Sequence, residues 1–347
     1  MREYVGVIHL HTEYSDGWGT YEQIMKTAKE VGLDFVIGTD HDTIQPKLDG
    51  LEGYHNGVLL ICGYEITPEI NHYLAIGTDK LIPPSDNPQD YIDDVRESGG
   101  LGVIAHPHHI GIKRFGVDAF PWNDWSVNGY DAMSIWDLVN DWGENINGYV
   151  SGLQGLINPA GYISGPNPKT LHLWDELNRE RLVAGIGELD NHNTHFKVFG
   201  ITVEVFKWEF ALKTIRNHLL IDDITGDYER DTKHIIDVIK RGRLFVANDY
   251  FENSRGFEFF ALLDGGKRAY MGERLPAGTR MNLFINSPKK AYILLFHNGN
   301  LVKEKYSTNL TYATDKSGVW RAEVHLQKGL WRRGWIYSNP ITIEGNY

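Results

Sequence analysis

A short apolar run near the start of the chain ends in two alternating histidines, and an aspartate follows: Tyr4-Val-Gly-Val-Ile-His9-Leu-His11-Thr-Glu-Tyr-Ser-Asp16-Gly17. In an extended strand the period of two puts both imidazoles on one face, and Asp16 falls just past the strand end. The same placement recurs along the chain. His41 follows Phe35-Val-Ile-Gly, Glu65 follows Leu59-Leu-Ile-Cys-Gly, and His72 stands before Tyr73-Leu-Ala-Ile. His106 closes Leu101-Gly-Val-Ile-Ala, while Asp190 and His192 follow Leu182-Val-Ala-Gly-Ile-Gly-Glu188-Leu. A single histidine so placed is ordinarily a satisfied core or surface residue. Nine donors gathered at strand ends point instead to metal, because neutral imidazoles and carboxylates suit Zn, Mn or Fe and their spread over several strands leaves room for more than one ion. Asp40, Asp42 and His195 read as supporting or pocket groups, since a ligating imidazole needs an acceptor for its second nitrogen.

The elements that must carry these residues alternate. Thr20 to Glu30 has Ile24, Ala28 and Val31 at helical spacing and closes at Gly32 before the Phe35 strand. Pro88 to Ser98 predicts a helix before the His106 strand, Tyr130 to Trp136 a further strand, and Leu171 to Glu180 an amphipathic helix leading into the Asp190 strand, with Trp174 in the core. Thr232 to Arg241, with Ile235, Ile236 and Ile239, predicts a closing helix before Leu244-Phe-Val-Ala. Short buried strands separated by helices imply an α/β barrel or a related sheet, whose active site lies where the strands end. Beyond Asn248 to Gly256 the pattern changes to period-two runs: Phe257 to Leu263, Met281 to Asn286, Ala291 to Phe296, Val319 to Leu326 and Trp335 to Tyr337. Turn dipeptides break these runs, and they predict a small all-β sandwich.

With 347 residues the chain exceeds what one hydrophobic core usually organises. Its formal net charge of -12 argues against a general nucleic-acid surface, although bound cations would make one pocket locally positive and open to an anionic substrate. The apolar run that stops at His9 is too short for a signal peptide, and no later run would span a membrane, so a cytoplasmic location is expected. The lone Cys62 is expected to be buried in a strand.

In order, His9-Leu-His11 with Ser15-Asp-Gly17, Thr39-Asp-His41, Gly63-Tyr-Glu65, Ala105-His-Pro107 and Glu188-Leu-Asp-Asn-His192 resemble the motifs of the polymerase and histidinol phosphatase (PHP) superfamily of metal-dependent hydrolases. The likeness covers about residues 1 to 250. It implies a distorted (β/α)7 barrel over 1-253 with three divalent ions, Zn, Mn or Fe, followed by the β-sandwich over 254-347. One ion would be held by His9, His11, Glu65 and Asp190, a second by Glu65, His72 and His106, and a third by Asp16, His41 and His192. Glu188 is the competing carboxylate for Asp190, His55 competes with His72, and His108 and His109 compete with His106. Leu244-Phe-Val-Ala-Asn-Asp, Asn298-Gly, Trp320-Arg-Ala-Glu and Tyr337-Ser-Asn-Pro-Ile are similar to the carbaryl-hydrolase-like branch, which extends the resemblance over nearly the whole chain.

The activity this implies is hydrolysis of a small phosphorylated metabolite or nucleotide through a metal-bridging hydroxide, with Glu65, Asp190 and His192 as catalytic groups. A carbamate, carboxyl-ester or amide hydrolase is the alternative from the same activated water, and a noncatalytic interaction protein is the third reading. Lys113, Arg114, His108 and His195 are candidates for the substrate, expected to be a small anionic molecule. Trp122, Trp125, Trp136 and Trp142 either line an apolar pocket or pack a long loop onto the barrel. The sequence leaves the oligomeric state open.

Overall fold

The computed structural model describes residues 2–198 and 201–345, and the side chain of Arg114 lies outside that description. The fold is mixed α/β, rich in strands. The first half runs β1 (Arg2–Ile8), α1 (Tyr21–Glu30), β2 (Phe35–Gly38), α2 (Gln45–Leu48), β3 (Gly53–His55), β4 (Val58–Cys62), β5 (Tyr64–Ile66), β6 (Tyr73–Ile76), α3 (Pro88–Glu97) and β7 (Leu101–Ile104). It continues with β8 (Ala132–Asp137), α4 (Leu138–Glu144), α5 (Tyr149–Ile157), α6 (Pro168–Glu180), β9 (Ala184–Glu188), β10 (His195–Val198), β11 (Ile201–Glu204), α7 (Trp208–Ala211), β12 (Ile215–Ile221), α8 (Tyr228–Lys240) and β13 (Leu244–Asn248).

Local chemistry sets the helix ends. Thr20 accepts from the Gln23 amide while the Gln23 side chain accepts from the Thr20 amide, a reciprocal cap that starts α1. Asp227 caps α8 a full turn before the Thr232 expected from apolar spacing, because the first turn is polar.

β1, β2 and β4 are parallel neighbours, as are β7, β8 and β9. β6 runs antiparallel to both β5 and β7, and β12 antiparallel to both β1 and β13. Two isolated bridges link the two groups of strands: His41, past the end of β2, bridges Glu65 in β5, and Leu10, past the end of β1, bridges Asn191, past the end of β9. Both faces of these strands are buried. Phe35, Ile37, Leu59 and Ile61 pack with Ile235, Ile236 and Ile239 of α8, whereas Val36 and Leu60 lie in the same apolar cluster as Ile24, Met25 and Ala28 of α1. Alternate residues thus serve two apolar layers, as expected of a sheet covered on both sides. Cys62 is buried at the end of β4.

The remaining strands are β14 (Glu258–Leu263), β15 (Arg268–Tyr270), β16 (Arg274–Leu275), β17 (Met281–His297), β18 (Asn300–Thr314), β19 (Gly318–Lys328), β20 (Trp331–Ser338) and β21 (Ile341–Ile343). β17 is one strand where the sequence predicts two. Its register against β18 shifts between Asn286 and Ala291, around Pro288, which has no amide to donate and is accommodated as an irregularity. β18 has no counterpart among the expected strands, since most of its residues are exposed and polar and leave little alternation to read. β20 pairs with β13, so the sheet runs without a break from the N-terminal strands into the C-terminal ones. Phe245 and Ala247 of β13 share a buried cluster with Phe257, Phe259, Trp320 and Trp335. A second tie is electrostatic: the buried Arg321 guanidinium of β19 donates to both oxygens of Asp175 in α6, at 2.7 and 2.9 Å, and to Glu323. No described helix is long and apolar enough to cross a membrane.

Candidate metal centre

The segment after β1 is threaded between its neighbours. His9 N–H donates to Ile37 O, Leu10 O accepts from Thr39 N–H, and His11 N–H donates to Asn191 O at 3.1 Å. These bonds bring the ends of β1, β2 and β9 side by side, and with them His9, His11, His41, Asp190 and His192. β5 supplies Glu65 from its middle, and His72 and His106 come from the residues flanking β6 and β7.

Glu65 lies at the middle of the assembly, fully buried. Its Oε1 faces His72 Nδ1 at 2.9 Å and His106 Nε2 at 3.1 Å. Its Oε2 faces His9 Nε2 at 3.1 Å, His41 Nδ1 at 3.2 Å and His11 Nε2 at 3.4 Å. Asp190 Oδ1 is 3.4 Å from His9 Nε2 and 3.3 Å from His11 Nε2. Asp16 Oδ1 is 3.3 Å from His41 Nε2 and 3.2 Å from His192 Nε2. The donor atoms form three groups, each within 4.8 Å: His9, His11, Glu65 and Asp190; Glu65, His72 and His106; and Asp16, His41 and His192 with His11. All nine residues named from the sequence are therefore brought together, and His11 touches two groups rather than one.

The fit to metal can be judged from His11. It is fully buried, and neither ring nitrogen has a hydrogen-bond partner. Burial and the neighbouring His192 push its pKa down to about 3, so the ring is neutral and keeps a lone pair. A buried neutral imidazole without partners is costly unless something completes it. The spacing agrees: two ligands about 2.1 Å from a tetrahedral ion are about 3.4 Å apart, longer than the usual hydrogen bond. Burial alone would lower the pKa of His9, His106 and His192 as well. Their carboxylate neighbours outweigh it, chiefly Glu65 for His9 and His106 and Asp16 for His192, and raise His106 to about 10 and His192 to about 9. Without cations the carboxylates draw protons onto these rings, and a divalent ion held by the same residues would take over that role.

The supporting contacts fix ring orientation. Glu188 Oε2 holds His9 Nδ1 at 2.9 Å, and its Oε1 accepts from the His106 amide at 2.7 Å. Pro68 O faces His72 Nε2, Phe120 O faces His106 Nδ1 and Asp190 O faces His192 Nδ1. Glu188, which sequence reasoning set against Asp190 as a ligand, thus stands one contact behind the cluster. Asp40 accepts from Thr12, Ser15 and Tyr21 and so pins the loop that presents Asp16. Asp42 accepts from the Thr67 amide. His9, His106 and Asp190 have positive φ of 70°, 26° and 48°. Left-handed backbone at non-glycine residues costs of order 1–3 kcal/mol each and is retained where the surroundings enforce it.

The other candidates lie outside the cluster. His55 Nε2 contacts Leu51 O, His108 Nδ1 contacts Thr170 Oγ1, and buried His109 accepts the Phe120 amide. His195 stacks on Trp18 at 4.6 Å, and Lys113 is exposed in a 3-10 turn. Trp122, Trp136 and Trp142 are buried in the main apolar cluster and Trp125 packs against it, the loop-packing alternative, and Trp136 also lines a cavity beside His106. Trp174 is buried with its Nε1 donating to Val183 O. Among the residues lining that cavity that were not named from the sequence are Ser134 and Asp137. Asp137 closes a buried strand just as His106 and Asp190 do, and that position was its available signal.

No family model matches the chain. An uncharacterised protein of Methanocaldococcus jannaschii is 27% identical over 147 residues, which span 39% of this chain and 85% of that one. Among solved structures, a two-domain protein of Bacteroides vulgatus containing a predicted PHP-like metal-dependent phosphoesterase aligns over 98% of this chain and 95% of its own, with 16% identity and a TM-score of 0.45. An amidohydrolase of Chromobacterium violaceum, with sulfate bound and no metal, aligns over 58% of this chain and 92% of its own, with 12% identity and a TM-score of 0.35.

Proposed function

We propose that the chain is a metal-dependent phosphoesterase of the PHP type, acting on a small phosphorylated metabolite or nucleotide. The observation that carries this reading is Glu65, whose two oxygens face different groups of histidines and so suit a bridge between two cations. On this reading residues 1–253 form the distorted (β/α)7 barrel that carries the chemistry. Residues 254–347 form the β-sandwich of the carbaryl-hydrolase-like branch and supply no reacting group. The three donor groups would hold three ions, Zn, Mn or Fe, and their ligands are the nine residues grouped above.

Bound divalent cations would acidify a shared water into a nucleophile and neutralise charge that develops on the phosphoryl oxygens. Glu65 fixes the separation of the first two groups. Asp190 completes the first, and Glu188 holds His9 Nδ1 so that Nε2 faces inward. Asp16, His41 and His192 stand at the more exposed side, where they would orient a nonbridging oxygen or the leaving group. One observation favours the carbamate, ester or amide alternative: among the described side chains no Lys or Arg lines the cavity beside His106.

Phosphomonoesters, phosphodiesters and carboxyl or carbamate esters, assayed separately with Mn, Zn and Fe, test the class. Turnover of phosphoesters is expected, and activity confined to carboxyl or carbamate esters rejects the reading. An anomalous-scattering map of metal-loaded crystals tests the ligand assignment.

A further inference from the structure

The backbone of Phe120 holds two histidines at once. Its carbonyl accepts from His106 Nδ1 at 3.2 Å, and its amide donates to His109 Nδ1 at 3.1 Å. A carbonyl can only accept and an amide can only donate, so the two rings are fixed in opposite tautomers. His106 carries its hydrogen on Nδ1 and presents a lone pair at Nε2, which faces Glu65 Oε1 at 3.1 Å. His109 gives its lone pair to the amide and carries its hydrogen on Nε2. The ring centroids are 5.4 Å apart and both Nδ1 atoms face the same residue, so both Nε2 atoms are turned away from it, that of His106 into the cluster. Asp190, His72 and Glu65 are close enough to His109 to act on its charge. Among the described residues His109 Nε2 has no hydrogen-bond partner, and it is not sealed in as the nitrogens of His11 are.

We propose that His109 is a further catalytic residue, whose Nε2–H donates to a nonbridging oxygen of the phosphoryl group as negative charge grows there. The proposal rests on the phosphoesterase reading and adds to it a group outside the ligand set. The same bond that aims the donor keeps His109 from ligating, because its lone pair is engaged by the Phe120 amide. The Phe120 ring stacks on His109 and on His72, with centroids 5.7 and 5.0 Å apart, so the donor is braced before substrate arrives. A donor fixed in advance against developing charge lowers the barrier without reorganising during the reaction. No proton leaves the ring: hydroxide bonds to phosphorus, the ester P–O bond breaks, and the departing oxygen takes its proton from water.

His109→Phe keeps a ring against His106 and Phe120 and removes the donor, whereas His109→Gln keeps an acceptor for the Phe120 amide and a donor beyond it. In the metal-loaded full chain His109→Phe is expected to lower kcat on phosphoesters about 10- to 100-fold, with KM and metal content per chain unchanged. His109→Gln should recover part of that loss. In crystals of the metal-loaded wild type with inorganic phosphate, Nε2 should lie within about 3.2 Å of a phosphate oxygen, and this measurement decides the matter if neither variant folds. Unchanged kcat in His109→Phe overturns the proposal, as do phosphate oxygens that all lie out of reach of Nε2. A fall in metal content that accounts for the lost activity also overturns it, leaving His109 as a support for His106. Each of these leaves the phosphoesterase standing if phosphoesters are turned over by the wild type. Activity confined to carboxyl or carbamate esters overturns the phosphoesterase reading and the phosphoryl contact together.

Discussion

Glu65 and Glu188 are both buried carboxylates beside the same histidines, yet their contacts assign them different work. Glu65 faces five imidazoles, whereas Glu188 holds the rear nitrogen of His9 and the amide of His106. Substituting each by glutamine preserves shape and removes charge, which separates the two roles. Glu65→Gln is expected to lose metal from two of the three groups and to show no detectable turnover, read by metal content per folded chain and by activity. Glu188→Gln should keep the groups but lower metal affinity or activity by about 10- to 100-fold, the usual effect of removing a support behind a ligand. Equal metal content in wild type and Glu65→Gln would remove the bridge from the account.

Among elements, the strand ends that bear His9, His41, His106 and Asp190 were legible because each follows a short apolar run, and the spacing of apolar residues located α1, α3 and α8. What could not be read is what depends on partners. β18 is polar, and β12 carries Arg216, Asn217 and His218 buried in its centre, so neither follows a simple apolar pattern. The His218 contacts show why β12 tolerates charge. Its Nδ1 meets Glu3 of β1 at 2.6 Å, and its Nε2 meets Ser254 at 3.1 Å and Asp249 at 3.3 Å, an arrangement like a nucleophile triad but sealed, with Ser254 fully buried. Burial lowers the His218 pKa, and Asp249 and Glu3 more than offset it, so the folded value lies above the usual 6.5. The stabilisation from this group is therefore complete below about pH 6.5 and lost as pH rises through the raised value. Asp249, held below 3.8 although burial opposes this, contributes above that pH and loses its share as pH falls. The melting temperature of His218→Gln should accordingly fall furthest below wild type in mildly acidic solution and approach it in alkaline solution. The tie from α6 to β19 is tested by Arg321→Met, which strands Asp175 and Glu323 without their buried cation. A loss of about 3–5 kcal/mol in urea unfolding is expected, and a change under 1 kcal/mol would show the network to be dispensable.

At the scale of the whole molecule, the pairing of β13 with β20 makes the C-terminal strands a continuation of the N-terminal sheet. Cutting the chain after residue 253 would bare Phe245 and Ala247 and remove the cation beside Asp175. The shortened chain is expected to lose its sharp near-ultraviolet circular dichroism and to precipitate on concentration, even though every residue of the histidine and carboxylate cluster remains. The same sheet has a second consequence at its far side. Among the described residues β18 pairs with β17 alone, so fifteen residues of extended chain present backbone donors and acceptors to solvent. An edge of that length is a template onto which another chain could add, and Lys303, Glu304 and Lys305 interrupt its first half, all exposed. A second copy docking there would have to strip water from those charges. Replacing Lys303 and Lys305 with isoleucine should therefore turn a dispersed protein into one that forms thioflavin-binding fibres, and unchanged light scattering at high concentration would show that the lysines are not what protects the edge.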